Sequence, residues 1–124
     1  MPWFKKQPPR PRKEVTFTAL TIQFVGEQDG PPERLLKAQL AELLRSQSAV
    51  ERAYLARTDY GDATGMHVTL CVKSSLGEDK LLTHKIGDIF VGIFGSHEHL
   101  DTLFLLTNQE NDLQKVCRPF YVAG

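Results

Sequence analysis

Four histidines are the side chains in this sequence most suited to metal binding or acid–base chemistry near neutral pH. They are His67, His84, His97 and His99. His97 and His99 fall in one loop, and their side chains could meet at one site only if that loop bent suitably. His67 lies in a different element. Their spacing therefore favours ordinary surface histidines over a metal site or a catalytic pair.

The two cysteines and two turn aspartates are the other candidates for chemistry. Cys71 and Cys117 show no CxxC spacing, and neither stands beside a cationic cluster that would lower a thiol pKa, so inert thiols are expected. Asp59 and Asp62 flank Gly61, but the complete calcium-loop pattern is missing, and turn formation explains both. We expect no catalytic, metal or cofactor site.

Length and composition exclude several classes of protein. The chain has 124 residues, of which 41% are hydrophobic and 24% charged, values typical of one soluble domain. Fifteen basic residues balance fifteen acidic ones, which removes the electrostatic case for a nucleic-acid or membrane-surface partner. No apolar run approaches the length of a membrane span. These features predict a reduced, cytoplasmic protein without nucleic-acid or membrane partners.

Residues 1–14 differ in composition from the rest of the chain. They contain four prolines and five basic residues, which predicts a flexible or polyproline-like arm before a single domain of residues 15–124. Trp3 and Phe4 are the exception in this arm, because exposed aromatic side chains tend to find a surface to cover.

Hydrophobic periodicity places the elements of the domain. Alternation predicts strands at Thr16–Val25 and Met66–Lys73, and turn formers mark the end of another at Glu51–Arg57. Leu100–Thr107 is strand-like but apolar on both faces, as expected of a strand covered on both sides. Helical spacing predicts one helix from Pro32 to about Gln47 and a second that begins with a Ser75–Glu78 capping box and ends by Gly95. A short C-terminal helix is expected within Asn108–Cys117.

This order, β-α-β-β-α-β, predicts an α+β domain with a ferredoxin-like sheet. The two middle strands form a hairpin, the first and third strands are central, and both helices lie on one face. The short C-terminal helix is an addition to that core. The topology hosts many unrelated functions, so it implies none by itself.

The sheet face away from the helices is the most informative surface in this prediction. If Leu20, Ile22 and Phe24 face the helices together with Val68, Leu70 and Val72, mostly small, uncharged residues occupy the other face. A solvated face would carry more charge, so we expect it to be covered by a second subunit, by the tail Phe120–Tyr121–Val122 or by another partner. The predicted protein-contact face comprises Ala19, Thr21, Gln23, His67, Thr69 and Cys71.

Several short motifs give the chain a family resemblance. Pro32–Leu36 entering a helix, Val50–Ala56 as the next strand, Leu100–Leu103 and Pro119–Tyr121 together resemble the C-terminal domain of the SseB (enhanced serine sensitivity) family. The similarity spans most of residues 15–122. The resemblance implies a bacterial cytoplasmic protein of poorly defined function and no enzyme class.

A second similarity gives the alternative interpretation. The run Gln28–Leu36 is similar to the turn between the first strand and first helix of ACT domains, which sense amino acids, although its glycine precedes the proline instead of following it. Our expectation from sequence is a non-enzymatic interaction or regulatory module with a protein partner, most simply a homodimer. An ACT-like small-molecule sensor is the alternative.

Overall fold

The computed structural model describes residues 22–61 and 65–124. The predicted arm, residues 1–14, and the first part of the predicted strand Thr16–Val25 lie outside these ranges. Within them, no helix is long and apolar enough to cross a membrane. The elements in chain order are β1 (Gln23–Glu27), α1 (Pro31–Arg45), β2 (Val50–Asp59), β3 (Met66–Ser74), α2 (Lys80–Phe94), β4 (Asp101–Phe104), α3 (Thr107–Leu113) and β5 (Tyr121–Val122).

The described strands form one mixed sheet, which confirms the α+β class but has a different strand order from a ferredoxin-like sheet. The order is β1-β2-β3-β4, so β2 and β3 are central and β1 lies beside β2. β2 and β3 form the predicted hairpin, and α2 links β3 to its parallel neighbour β4. β1 and β2 are antiparallel, so the handedness rule for parallel crossovers does not apply to their connection through α1.

One edge of β2 is covered by two strands in succession. β3 pairs along one side of β2, and the other side receives β1 at residues 56–59 and β5 at residues 52–53. Both run antiparallel to β2, so β5 continues the direction of β1. The backbone N–H of Phe120 donates to Ala53 O at 2.9 Å, and that of Ala123 donates to Glu51 O at 2.9 Å. β1 and β5 together thus form a composite edge strand.

Both long helices cover the same sheet face, as predicted. Leucines at helical spacing on α1 and the apolar stripe of α2 meet the strand residues that alternate toward them. This first cluster is almost fully buried and contains Leu36, Leu40, Leu44, Val50, Ala53, Leu55, Val68, Leu70, Val72, Leu82, Ile86 and Phe90. Phe120 and Tyr121 pack against the same cluster, so the C-terminal apolar tail lies on the helix side of the sheet.

A second apolar cluster lies on the opposite face. Leu113 of α3 and the following Cys117 pack there with Tyr54, Ala56 and Cys71, together with Phe24 and Leu105. The predicted position of Phe24 on the helix face is therefore wrong. The register explains the difference, since Phe24 pairs with Thr58 and a bulge follows between Phe24 and Gly26.

The start of α2 also differs from its prediction. The helix begins at Lys80 with Asp79 as its cap, and the Leu82 N–H donates to Asp79 Oδ1 at 3.1 Å. The predicted capping box of Ser75 and Glu78 is wrong because the chain stays in a turn, with Gly77 at φ 73°, before the helix begins.

Replacement of this cap tests the assignment. We expect Asp79→Ala to lower the free energy of unfolding by about 1 kcal/mol, because the helix loses the acceptor for one of its free N–H groups. Glu78→Ala, one residue earlier and exposed, is the matched control and should change the stability little. Urea denaturation followed by circular dichroism measures both, and equal losses in the two variants would contradict the Asp79 assignment.

Candidate functional site

The structure describes four of the six residues predicted to form a contact face. His67, Thr69 and Cys71 lie on β3 opposite the long helices and are buried, with exposed fractions of 5%, 0% and 0%. Gln23 is exposed and precedes the inward-facing Phe24 on β1, so it faces the other side of the sheet. Ala19 and Thr21 lie outside the described residues. The four described residues thus do not share one accessible surface.

Part of this face is covered by the C-terminal segment of the same chain. Leu113 and Cys117 pack over Cys71, whereas Phe120 and Tyr121 belong to the helix side. A contact from a second molecule to Cys71 would require this segment to move away. Self-association itself stays a prediction and depends on other surfaces.

The histidine prediction is correct for three side chains and wrong for His67. His84, His97 and His99 are exposed. His67 is buried because it alternates toward the second face of a strand that is covered on both sides. Its ring lies 4.8 Å from that of Tyr60, and its Nδ1 lies 3.6 Å from Asp101 Oδ2.

Asp101, at the start of β4, is the centre of a polar cluster on this face. His99 Nε2 lies 2.5 Å from Asp101 Oδ1, and the Tyr60 hydroxyl donates to Asp101 Oδ2 at 3.0 Å. Burial acts to raise the pKa of Asp101, but the hydrogen bond and positive charge of His99 outweigh it and hold that pKa below its ordinary value. Asp101 is therefore an ionised acceptor near neutral pH.

Two threonines extend this cluster into the sheet. The Tyr60 hydroxyl lies 2.8 Å from Thr69 Oγ1, which lies 2.7 Å from Thr58 Oγ1. Burial, followed by the negative charge of Asp101, raises the pKa of Tyr60, so its phenol stays protonated at neutral pH. Among the described residues, the cluster joins an ionised Asp101 to the protonated Tyr60 phenol and to two histidines. It is arranged to join β2, β3 and β4.

A second polar cluster fastens α3 to the centre of the sheet. Glu110 accepts from Arg52 Nε at 2.5 Å and Arg52 Nη2 at 2.9 Å, and from the Tyr54 hydroxyl at 2.6 Å. Gln114 Nε2 donates to the Tyr54 hydroxyl at 2.9 Å. The Arg52 guanidinium lowers the pKa of Glu110, so the carboxylate remains charged although only 5% of the residue is exposed. Sequence analysis missed this cluster.

Both cysteines are free thiols and are buried. Burial raises the pKa of Cys71, and burial with the nearby charge of Glu27 raises that of Cys117 to about 12. Within residues 22–61 and 65–124, no three side chains of histidine, cysteine, aspartate or glutamate are arranged to hold a metal ion. The Asp59 carboxylate accepts from the Gly61 N–H at 2.8 Å, which is the predicted turn chemistry.

The turn before α1 shows what the ACT-like segment could offer a ligand. Pro31 and Pro32 occupy the first helical positions and carry no N–H, which removes two of the amides that a helix start can present. Glu33 is buried, and its Oε1 lies 2.6 Å from where a Cβ on Gly30 would stand. A carboxylate of the chain itself therefore occupies the space where the backbone would approach an anionic ligand.

A groove of about 210 Å³ runs beside α2, between that helix and the loop before β4. We call it the α2 groove. Its lining is mainly apolar, with Gly87 on the side of the helix. On the side of the loop before β4 it is lined by Glu98, which we call its rim, and by the neighbouring His99. The lining includes Ile86, Gly87, Phe90, Val91, Glu98 and Leu100.

Comparison with known proteins agrees with the resemblance seen in the sequence. The family model described as the SseB protein C-terminal domain matches residues 23–122. Comparisons with curated proteins and with solved structures returned no match. The matched range begins at the first residue of β1 and ends at the last residue of β5, so it contains every element of the described fold. The chain therefore belongs to the SseB C-terminal domain family.

Proposed function

We propose that this domain is a non-enzymatic interaction and regulatory module of the bacterial cytoplasm that associates with a second copy of itself. The observation that carries the proposal is the position of the most exposed large apolar side chains. Leu76, Leu81, Leu106 and Val122 are 80%, 65%, 63% and 59% exposed, the highest values among the large apolar side chains of the described residues.

These four side chains lie at one end of the sheet. β2 begins there and β3 and β4 end there, since Val50 pairs with Ser74 and Val72 pairs with Phe104. Leu76 follows β3, Leu106 follows β4, and Leu81 lies in the first turn of α2. Val122 pairs with Arg52 near the start of β2. We call this surface the apolar end.

An apolar surface with charged neighbours is the usual composition of a protein–protein interface. Glu51, Lys73 and Lys80 lie close to the apolar end in the chain and supply both signs of charge. A closed two-fold arrangement needs only one self-complementary patch, so a second copy is the simplest partner. The protonated state of the two buried thiols supports a module without cysteine chemistry.

Leu76→Lys combined with Leu106→Lys tests the proposal. We expect the wild-type chain to be a dimer at tens of micromolar and this variant to be a monomer, because each copy would have to bury two charges at the interface. Leu35→Lys, at a half-exposed leucine near the start of α1, is the matched control and should remain a dimer. Light scattering gives the mass of each.

Two results would contradict self-association at this surface. One is a monomeric wild-type chain over that concentration range, and the other is a variant that remains dimeric. Circular dichroism must show the same secondary structure in all three proteins, so that a change in mass reflects the interface and not unfolding.

The ACT-like alternative has less support, because Glu33 and the two prolines occupy the turn where its ligand would bind. It makes a separate prediction that the same protein can test. An amino acid bound to the folded state would raise the melting temperature by mass action. No shift with any amino acid at millimolar concentration is the result expected of an interaction module.

A further inference from the structure

We propose that the α2 groove is the docking site for the indole ring of Trp3 of the same chain, with Lys5 and Lys6 beside Glu98 on its rim. The proposal goes beyond self-association, because it assigns an occupant to a different surface, whose lining contains none of the four residues of the apolar end. It rests on the size of the groove, the charge of the two parts of the chain and the reach of the N-terminal segment.

The size and lining of the groove fit an aromatic side chain. Its volume of about 210 Å³ is below the roughly 300–1,000 Å³ of common small-molecule pockets and is on the scale of one large side chain. Ile86, Phe90 and Leu100 supply an apolar floor. Gly87 has open space where its Cβ would be, with no heavy atom within 4 Å, so an aromatic ring can lie close to the helix backbone there.

The charges of the two parts are complementary. Residues 1–21 contain five basic residues and one acidic residue, whereas residues 22–124 contain ten basic and fourteen acidic residues. Lys5 and Lys6 directly follow the two aromatic residues, and Glu98 lines the groove. Aromatic insertion thus places two positive charges beside a carboxylate on an acidic domain, a pairing that favours the docked state at low salt.

The chain is long enough for docking within one molecule. The seventeen residues between Phe4 and Ile22 span up to roughly 55 Å when extended. A domain of this size has a radius of gyration of about 13 Å, so the segment can cross from β1 to the far side of β4. Because the two parts are tethered, their effective concentration is high and docking within the molecule is favoured over docking between molecules.

The experiment uses Trp3 as its own probe, since it is the only tryptophan in the chain. In the wild-type chain of residues 1–124 we expect indole emission at shorter wavelength and acrylamide quenching several-fold weaker than in a free peptide of residues 1–21. Gly87→Phe fills the groove and should return both properties to the values of the peptide. Gly92→Phe, on the same helix, outside the groove lining and equally without neighbours within 4 Å, should leave Trp3 shielded.

A second variant keeps the test valid if Gly87→Phe fails to fold. Lys5→Glu with Lys6→Glu changes only the arm and should raise the quenching of Trp3, because the arm then carries the same charge sign as the rim. Wild-type quenching equal to that of the peptide overturns the proposal. Shielding of Trp3 that persists both in Gly87→Phe and in Lys5→Glu with Lys6→Glu also overturns the proposal, since Trp3 would then be held elsewhere.

The concentration dependence decides between the same chain and a second copy. Shielding that is constant from nanomolar to tens of micromolar, and that persists in Leu76→Lys with Leu106→Lys, is the result expected of docking within one molecule. Shielding that disappears on dilution would overturn it in favour of an exchanged arm. A monomeric wild type with a shielded Trp3 would refute only the dimer proposal, so the two ideas fail independently.

Discussion

Leu70→Asp should abolish the folded state. Leu70 is fully buried at the centre of β3, where it pairs with Leu55 and packs in the first cluster beneath both long helices. The substitution removes a buried leucine and puts a carboxylate in its place without a partner, a combined loss of more than about 5 kcal/mol. That is comparable to the entire stability of an ordinary domain.

The measurement is a thermal and urea unfolding curve for the variant beside the wild type. Leu35→Asp is the control, because Leu35 is half-exposed on α1 and its replacement leaves the cluster intact. We expect the control to unfold close to the wild type and Leu70→Asp to show no cooperative transition. A melting temperature for Leu70→Asp within a few degrees of wild type would contradict the assignment of β3 to the core.

Arg52→Ala should be the most damaging substitution among the polar residues. It removes both guanidinium bonds to Glu110 and leaves a buried carboxylate with the Tyr54 hydroxyl as its remaining hydrogen-bond donor among the described contacts. Breaking a fully buried pair in this way costs about 3–5 kcal/mol, and because the Arg52 side chain is 31% exposed we expect about 2–3 kcal/mol. Arg45→Ala, at an exposed pair with Glu42 on α1, should cost far less.

The loss of stability caused by Arg52→Ala should depend on pH in a definite direction. The folded-state pKa of Glu110 lies below its ordinary value of 4.5, so the stability from its pairing is fully present above that value and is lost as the pH falls through the folded-state pKa. The difference in unfolding free energy between wild type and Arg52→Ala should therefore be largest near pH 7 and shrink below pH 4.5. A difference that stays constant into acid would show that Glu110 charge is not its cause.

The parts of the fold that were predicted correctly are those set by local periodicity. The two long helices, the β2–β3 hairpin and the burial of Val68, Leu70 and Val72 toward the helices follow from spacings of 3.6 and 2 within single segments. The cap of α2 was misplaced because Ser75 and Glu78 have the right spacing for a capping box, whereas Gly77 holds the chain in a turn there. Only the next carboxylate, Asp79, stands at the helix start.

The strand order and the second face could not be obtained in this way, because they depend on contacts between distant residues. No residue near Phe24 in the sequence indicates that β1 pairs antiparallel with β2. Nor does any indicate that Phe24 pairs with Thr58 or that a bulge follows Phe24. Arg52 and Glu110 lie 58 positions apart, and neither has a local pattern that marks a buried pair. The scarcity of charge on the second face did indicate a covered surface. Nothing in the sequence shows that the short helix expected within Asn108–Cys117 brings Leu113 and Cys117 over that face.

The composite edge strand also determines how the domain would bear a pulling force. Its two pieces lie in line on one edge of β2, with the first end of the chain leaving beside Asp59 and the last leaving beside Arg52. Tension between the two ends therefore acts along the strands and loads their hydrogen bonds in shear. The two-residue piece has fewer pairs with β2 than β1 has, so we expect it to yield first and the load then to pass to α3 and the bidentate contact between Glu110 and Arg52. We therefore expect unfolding under tension to take two steps, first the loss of β5 and then the loss of the contacts that hold α3.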